Sequence, residues 1–183
     1  MTPDDAGPLL LALARQSITD ALSPGPAPIR TIGPDWLAEP GATFVTLTES
    51  GRLRGCIGSL QAWRPLVDDV AANARAAAFH DPRFPPVSAS EIAGLRIEVS
   101  LLSTPEPLSF ASEADAVAQL RPHVDGVILS ASGRRGTFLP QVWDDLPAPA
   151  DFWAHLRRKA GLPAGYWGPD VRVERYTVEK WSE

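Results

Sequence analysis

Proline ends helices and is kept out of central strands, because its ring crowds the preceding turn and it has no amide proton to donate. This chain carries 19 prolines in 183 residues. Its regular elements must therefore be short and joined by stiff, well-defined loops. The length suits one domain, or one domain with a small subdomain, and the apolar share of 44% is that of a folded globular chain. A net charge of −5 argues against broad, sequence-blind nucleic-acid binding, which needs a basic face. No apolar run approaches the roughly 20 residues that span a bilayer. Asp4 and Asp5 stand where a signal peptide carries positive charge, so a cytoplasmic location away from membranes is expected. Cys56 is the only cysteine, which excludes an intrachain disulfide and a cysteine-cluster zinc site. His80, His123 and His155 lie far apart in sequence, and no bound metal is expected.

Hydrophobic periodicity places the elements. Residues 8–22 repeat apolar positions at helical spacing, and Pro24, Pro26 and Pro28 then turn 23–42 into an extended connection. Thr43–Glu49, the turn Ser50-Gly51 and Arg52–Gly58 read as a β-hairpin. An alanine-rich helix begins at Pro65 and stops at Asp81-Pro82, and Ser88-x-x-Glu91 can cap a short turn. Leu95–Ser103 alternates, with Leu95, Ile97, Val99 and Leu101 on one face and Arg96, Glu98 and Ser100 on the other. A modest helix over 112–121, a hairpin over 124–139 turning at Ser132-Gly133, a helix from Asp151 ending near Gly161 and a last strand over 171–178 follow. Hairpins outnumber βαβ units, so the fold class is α+β with a mainly antiparallel sheet and packed helices.

Three strings can carry chemistry. In Arg54-Gly55-Cys56-Ile57-Gly58 a strand puts Arg54 and Cys56 on one face, and a guanidinium near a thiol favours the nucleophilic thiolate. Gly55 and Gly58 strip side-chain cover from the backbone and offer amides to an anion. Cys56 can equally be a small buried hydrophobe, and pairing it with Val45 from a two-residue turn supports that view. His80-Asp81-Pro82-Arg83-Phe84 is a helix end followed by a rigid loop, either a polar array or merely a stop with Arg83 paired to Asp81 and Phe84 as anchor. Glu98 and Ser100 lie on the polar face of their strand, and a covered Glu98 would need a partner such as Arg54 or Arg83. Gly133-Arg134-Arg135-Gly136 has the look of an anion-binding tip, although arginines on a hairpin turn are commonly solvated. No P-loop, dinucleotide, serine-hydrolase or zinc-protease motif is present.

Taken in order from Gly51 to Trp167, the strings GRLRGCIGSL, NARAAAFHDPRFPPVSASEI, LRIEVSLLS, VDGVILSASGRRGTFLPQVW and FWAHLRRKAGLPAGYW resemble the AMMECR domain family, in the style of its AmmeMemoRadiSam system protein A branch. The resemblance implies one AMMECR-like domain over 1–183, built as two unequal subdomains with a cleft between them and no recognised cofactor. It also implies company, a Memo-like protein and a radical-SAM protein, without implying an agreed reaction. Arg54, Gly55, Cys56, Ile57 and Gly58 match one family string, Asp81, Arg83, Phe84 and Pro85 a second, and Glu98 and Ser100 a third. Asp125 departs from relatives that carry histidine before the glycine. The expectation is an enzyme or enzyme component with Cys56 as nucleophile, Glu98 or Asp81 handling a proton, and Arg54, Gly55, Gly58, Arg83 and Ser100 binding a small or protein-bound substrate. The alternatives are a non-catalytic adaptor or substrate-presenting module, and RNA or nucleotide modification. Arg83 is expected within contact or one-water distance of Cys56, with Phe84 packed beneath.

Overall fold

A computed structural model describes residues 6–23 and 33–183. The described chain forms two compact units, one from the residues up to Leu102 together with Glu179–Glu183 and one from Ser103–Val178.

In the first unit, α1 (Ala6–Leu22) buries Leu10, Ala14 and Ile18 at helical spacing. The middle of the expected connection over 23–42 lies outside the described residues. Its end is not extended: Asp35–Ala38 makes a 3₁₀ turn, and strand β1 already starts at Pro40 and runs to Glu49. Ser50 and Gly51 both take positive φ, 49° and 76°, as a tight two-residue hairpin turn requires. Strand β2 (Arg52–Gly58) returns along β1. A two-residue strand β3 (Arg64–Pro65) pairs with the start of β1 and leads into α2 (Leu66–Phe79), with Pro65 as N-cap rather than first helical residue. Strand β4 (Leu95–Leu102) pairs antiparallel with β1 and buries Leu95, Ile97 and Val99 as the alternation requires. The apolar faces of α1 and α2 cover Val45, Leu47, Ile97 and Val99.

The second unit holds β5 (Glu106–Pro107), α3 (Glu113–Ala118), β6 (Gly126–Ala131), β7 (Arg134–Phe138), α4 (Val142–Asp145), α5 (Pro149–Lys159) and β8 (Arg172–Tyr176). Its sheet runs β5-β8-β6-β7, all antiparallel. Trp143 stacks on Phe152 with ring centroids 3.6 Å apart at the centre of its core. Asp125 is fully buried, its carboxylate held by Arg121 and its carbonyl by the Trp143 indole. The strand expected over 171–178 is in fact two. It breaks at Thr177, and β9 (Val178–Ser182) joins the first sheet beside β4. The mainly antiparallel sheet of the sequence reading is therefore two sheets, and the class is α+β. Among the described residues no helix is long and apolar enough to cross a membrane.

Candidate functional site

The hairpin register decides which residues meet. A bulge between Leu47 and Thr48 shifts the pairing by one, so Cys56 faces Thr46 and not Val45. A one-residue slip moves a side chain to the other face of a sheet. Cys56 consequently leaves the core face of Val45 and Leu47 and is half-buried on the opposite one. Thr46 also pairs with Glu98 on β4. Thiol, hydroxyl and carboxylate thus form one row across three neighbouring strands, Cys56–Thr46–Glu98. The Thr46 hydroxyl donates to Cys56 Sγ at 3.2 Å. The next row is Gly58–Phe44–Ser100, and Ser100 is buried at 3% exposure.

The glycines serve packing rather than an open backbone. A Cβ on Gly55 would lie 2.1 Å from the Ala77 carbonyl oxygen of α2, and one on Gly58 would lie 2.2 Å from the Phe44 ring. The alanine-rich helix comes this close because it carries so little side chain on that face. The expected anion cradle is therefore filled by protein, and the Cys56 amide already donates to Asp81 Oδ2 at 2.9 Å.

Asp81 is buried and is gripped by Arg83, whose Nε and Nη2 donate to its two oxygens at 2.9 and 2.7 Å. That ion pair, with the Cys56 and Arg83 amides, holds the carboxyl far below the usual carboxylate range. Its two oxygens accept from the Cys56 and Arg83 amides as well as from the guanidinium, which ties the loop to the strand. Arg83 Nη2 also donates to the Cys56 carbonyl at 3.3 Å, so the strand and the loop do meet. Its pKa is raised, chiefly by the hydrogen bond to Asp81. Phe84 is only half-buried, under the Arg83 guanidinium, and the residue sealed in the core from this loop is Val87, 3% exposed.

The hydrogen bonds of Arg54 go to the following loop. The guanidinium donates to Glu91 Oε1 at 2.8 Å and to the Pro85 carbonyl at 2.9 Å, tying the loop over 81–91 to the edge of β2. Glu91, which also accepts from the Ser88 amide and hydroxyl, is lowered to about 2, chiefly by Arg54. Neither arginine goes to Glu98, which is half-buried and makes no ion pair among the described residues.

One constellation escaped the sequence reading. Asp69, fully buried in the first turn of α2, accepts from the Thr43 amide and hydroxyl and from Asn73 Nδ2 on one oxygen. Its other oxygen accepts from Ser59 Oγ and Arg64 Nε. In sequence, an acid in the first turn of a helix needs no explanation beyond the helix dipole. The available signal was a polar i, i+4 pair, Asp69 and Asn73, embedded in the apolar stripe of Leu66, Val70, Ala74 and Ala77. Among the described residues no three His, Cys, Asp or Glu side chains are grouped to hold a metal ion.

Fold and site define an α+β protein of two antiparallel-sheet units, with a thiol-bearing polar row on the first. The AMMECR1 family model matches residues 11–181, and the chain belongs to that family. A protein of Methanothermobacter thermautotrophicus is 38% identical over 187 residues, covering 98% of this chain and 95% of its own. One from Thermotoga maritima is 40% identical over 141 residues, 76% of each chain. The crystal structure of an uncharacterised protein from Pyrococcus horikoshii has the same fold, with a TM-score of 0.81 at 34% identity, over 99% of this chain and 93% of that one.

Proposed function

We propose that this AMMECR1-family chain is a cytoplasmic enzyme component that uses the Cys56 thiol as a nucleophile, in company with Memo-like and radical-SAM proteins. The observation that carries the reading is the row Cys56–Thr46–Glu98. Cross-strand neighbours sit about 5 Å apart at Cβ, within reach of each other's polar atoms. The Thr46 hydroxyl donates to sulfur at 3.2 Å, and Arg83 Nη2 reaches the Cys56 carbonyl at 3.3 Å, so the thiol lies beside a hydrogen-bond donor and a cation. Glu98, which makes no ion pair among the described residues, is the group in the row placed to take the thiol proton as sulfur bonds to an electrophilic carbon and to return it to the adduct or displaced group. Arg83, about half exposed at its side chain, is the cation a substrate anion would meet.

Alkylation of the folded protein by iodoacetamide tests this. The expected result is labelling of Cys56 at neutral pH faster than a free thiol, slowed in Thr46→Val. Labelling no faster than a free thiol from pH 6 to about 9 would sink the nucleophile. A second reading, a non-catalytic adaptor or substrate-presenting module, is favoured by one observation. Arg54, Asp81, Arg83 and Glu91 are all engaged with one another or with backbone carbonyls, as a loop-fastening device would have them.

A further inference from the structure

The second unit carries an aromatic and cationic surface that stands independently of Cys56. Ser130 of β6 pairs with Arg172 of β8 on one side and with Arg135 of β7 on the other. Direct cross-strand partners share a face, so two guanidinium groups flank one hydroxyl on a single row. Strands about 4.8 Å apart put the two arginine Cα atoms roughly 10 Å from each other, a span their side chains can close over one tetrahedral anion. Arg172 Nη1 donates to the Pro169 and Val171 carbonyls, both at 3.0 Å, which anchors the guanidinium and leaves Nε and Nη2 for a ligand. Arg135 is 40% exposed and has only a 3.9 Å approach to Glu174.

The same Ser130 and Arg172 line an open groove of about 990 Å³ with Phe110 and Trp167, and Ser130 and Arg135 line the concavity beside it. These two rings lie 5.2 Å apart at 57° and are half-buried, each presenting part of its surface. An incoming β-strand finds little purchase here, because the adjoining edge of β8 is already satisfied. The Val171 amide donates to Gly168, its carbonyl accepts from Arg172, and the Val173 carbonyl accepts from Leu108. What remains on offer is partly exposed aromatic surface that shares its groove with Arg172 and Ser130, with Arg135 on the other side of Ser130.

The geometry points to a binding site for a nucleoside monophosphate unit, with the base against Trp167 and Phe110 and the phosphate between Arg172 and Arg135 over Ser130. Guanidinium forks suit phosphate, and aromatic side chains take any base by stacking. Glu174, in the same groove, opposes the anion and competes for Arg135. A free nucleotide and a nucleotide within single-stranded RNA share this chemistry.

Calorimetric titration of the full chain with adenosine monophosphate, adenosine, inorganic phosphate and an oligoadenylate of about eight nucleotides tests the assignment. Adenosine monophosphate should bind saturably, with adenosine and phosphate each at least about tenfold weaker, since each keeps half of the contacts. Arg172→Gln should weaken it about tenfold, and Glu174→Gln should tighten it by removing the opposing charge. Both positions are on the sheet face away from the unit's core, and circular dichroism checks that the variants fold. Oligoadenylate binding much tighter than the mononucleotide, with a steeper salt dependence, identifies RNA as the source; equal affinities identify the free nucleotide. Absence of saturable binding by all four up to about 5 mM overturns the proposal. So does an affinity unchanged in Arg172→Gln or weakened in Glu174→Gln.

Discussion

Asp69→Ala is the substitution whose cost the structure defines best. The carboxylate accepts five hydrogen bonds at 2.7 to 2.9 Å and is fully buried. Not all five donors would be stranded. Asn73 Nδ2 keeps the Thr43 carbonyl at 2.9 Å, whereas the Ser59 and Thr43 hydroxyls keep only bonds that they accept and must rotate to find a new acceptor. The Thr43 amide has no replacement, and a stranded buried donor costs about 1–3 kcal/mol. Arg64 loses its ion pair, but its side chain is 21% exposed and regains water in part, which puts that loss near 1.5–2 kcal/mol. The sum, about 2.5–5 kcal/mol, overlaps the roughly 3–5 kcal/mol for breaking a buried pair by removing one partner. In a chain of this length that lowers the melting temperature on the order of 10 °C. Urea and thermal unfolding followed by circular dichroism measure it, and hydrogen exchange should show the Thr43 amide losing protection. Asp170→Ala is the control. That carboxylate also accepts from the Ser132 amide and hydroxyl and from Tyr166, but it is exposed, so water replaces it and the loss is clearly smaller. Equal losses for the two variants would refute the argument, because burial is the difference between them.

The depressed carboxyls of Asp81 and Glu91 set an acid limit. Their folded-state pKa values lie below the usual 3.8 and 4.5, so their contribution is complete above those values and is lost as pH falls toward the folded ones. The urea midpoint should hold down to about pH 5 and drop between about 4.5 and 2, with a smaller drop in Glu91→Gln; an unaltered drop in that variant contradicts the assignment. Gly55→Ala should destabilise by about 1–3 kcal/mol or more in thermal melts, because the new methyl meets a helix carbonyl oxygen and not a yielding side-chain end. Val87→Ala should cost about 2 kcal/mol, and Phe84→Ala clearly less than the 3–5 kcal/mol of a sealed ring, since Phe84 is half-buried. Comparison of the two urea midpoints decides which residue anchors the loop.

Local chemistry was enough for much of this fold. Ser50-Gly51 names its own turn because only a left-handed pair closes so tight a hairpin, and Leu95, Ile97 and Val99 name their buried face because a strand alternates. The meeting of Arg83 with the Cys56 strand was also within reach, since a helix of that length returns its following loop to the sheet. Which atoms the motif residues touch was not. Arg54 is drawn to Glu91, 37 residues away, and Cys56 changes faces because one residue bulges between Arg52 and Gly55. Asp69 looked like any acid at a helix start until Thr43, Ser59 and Arg64 converged on it from separate segments. Periodicity is a property of neighbours in sequence and is written there. A bulge, a face and a buried ion pair depend on what the rest of the chain brings alongside, and tertiary packing alone decides that.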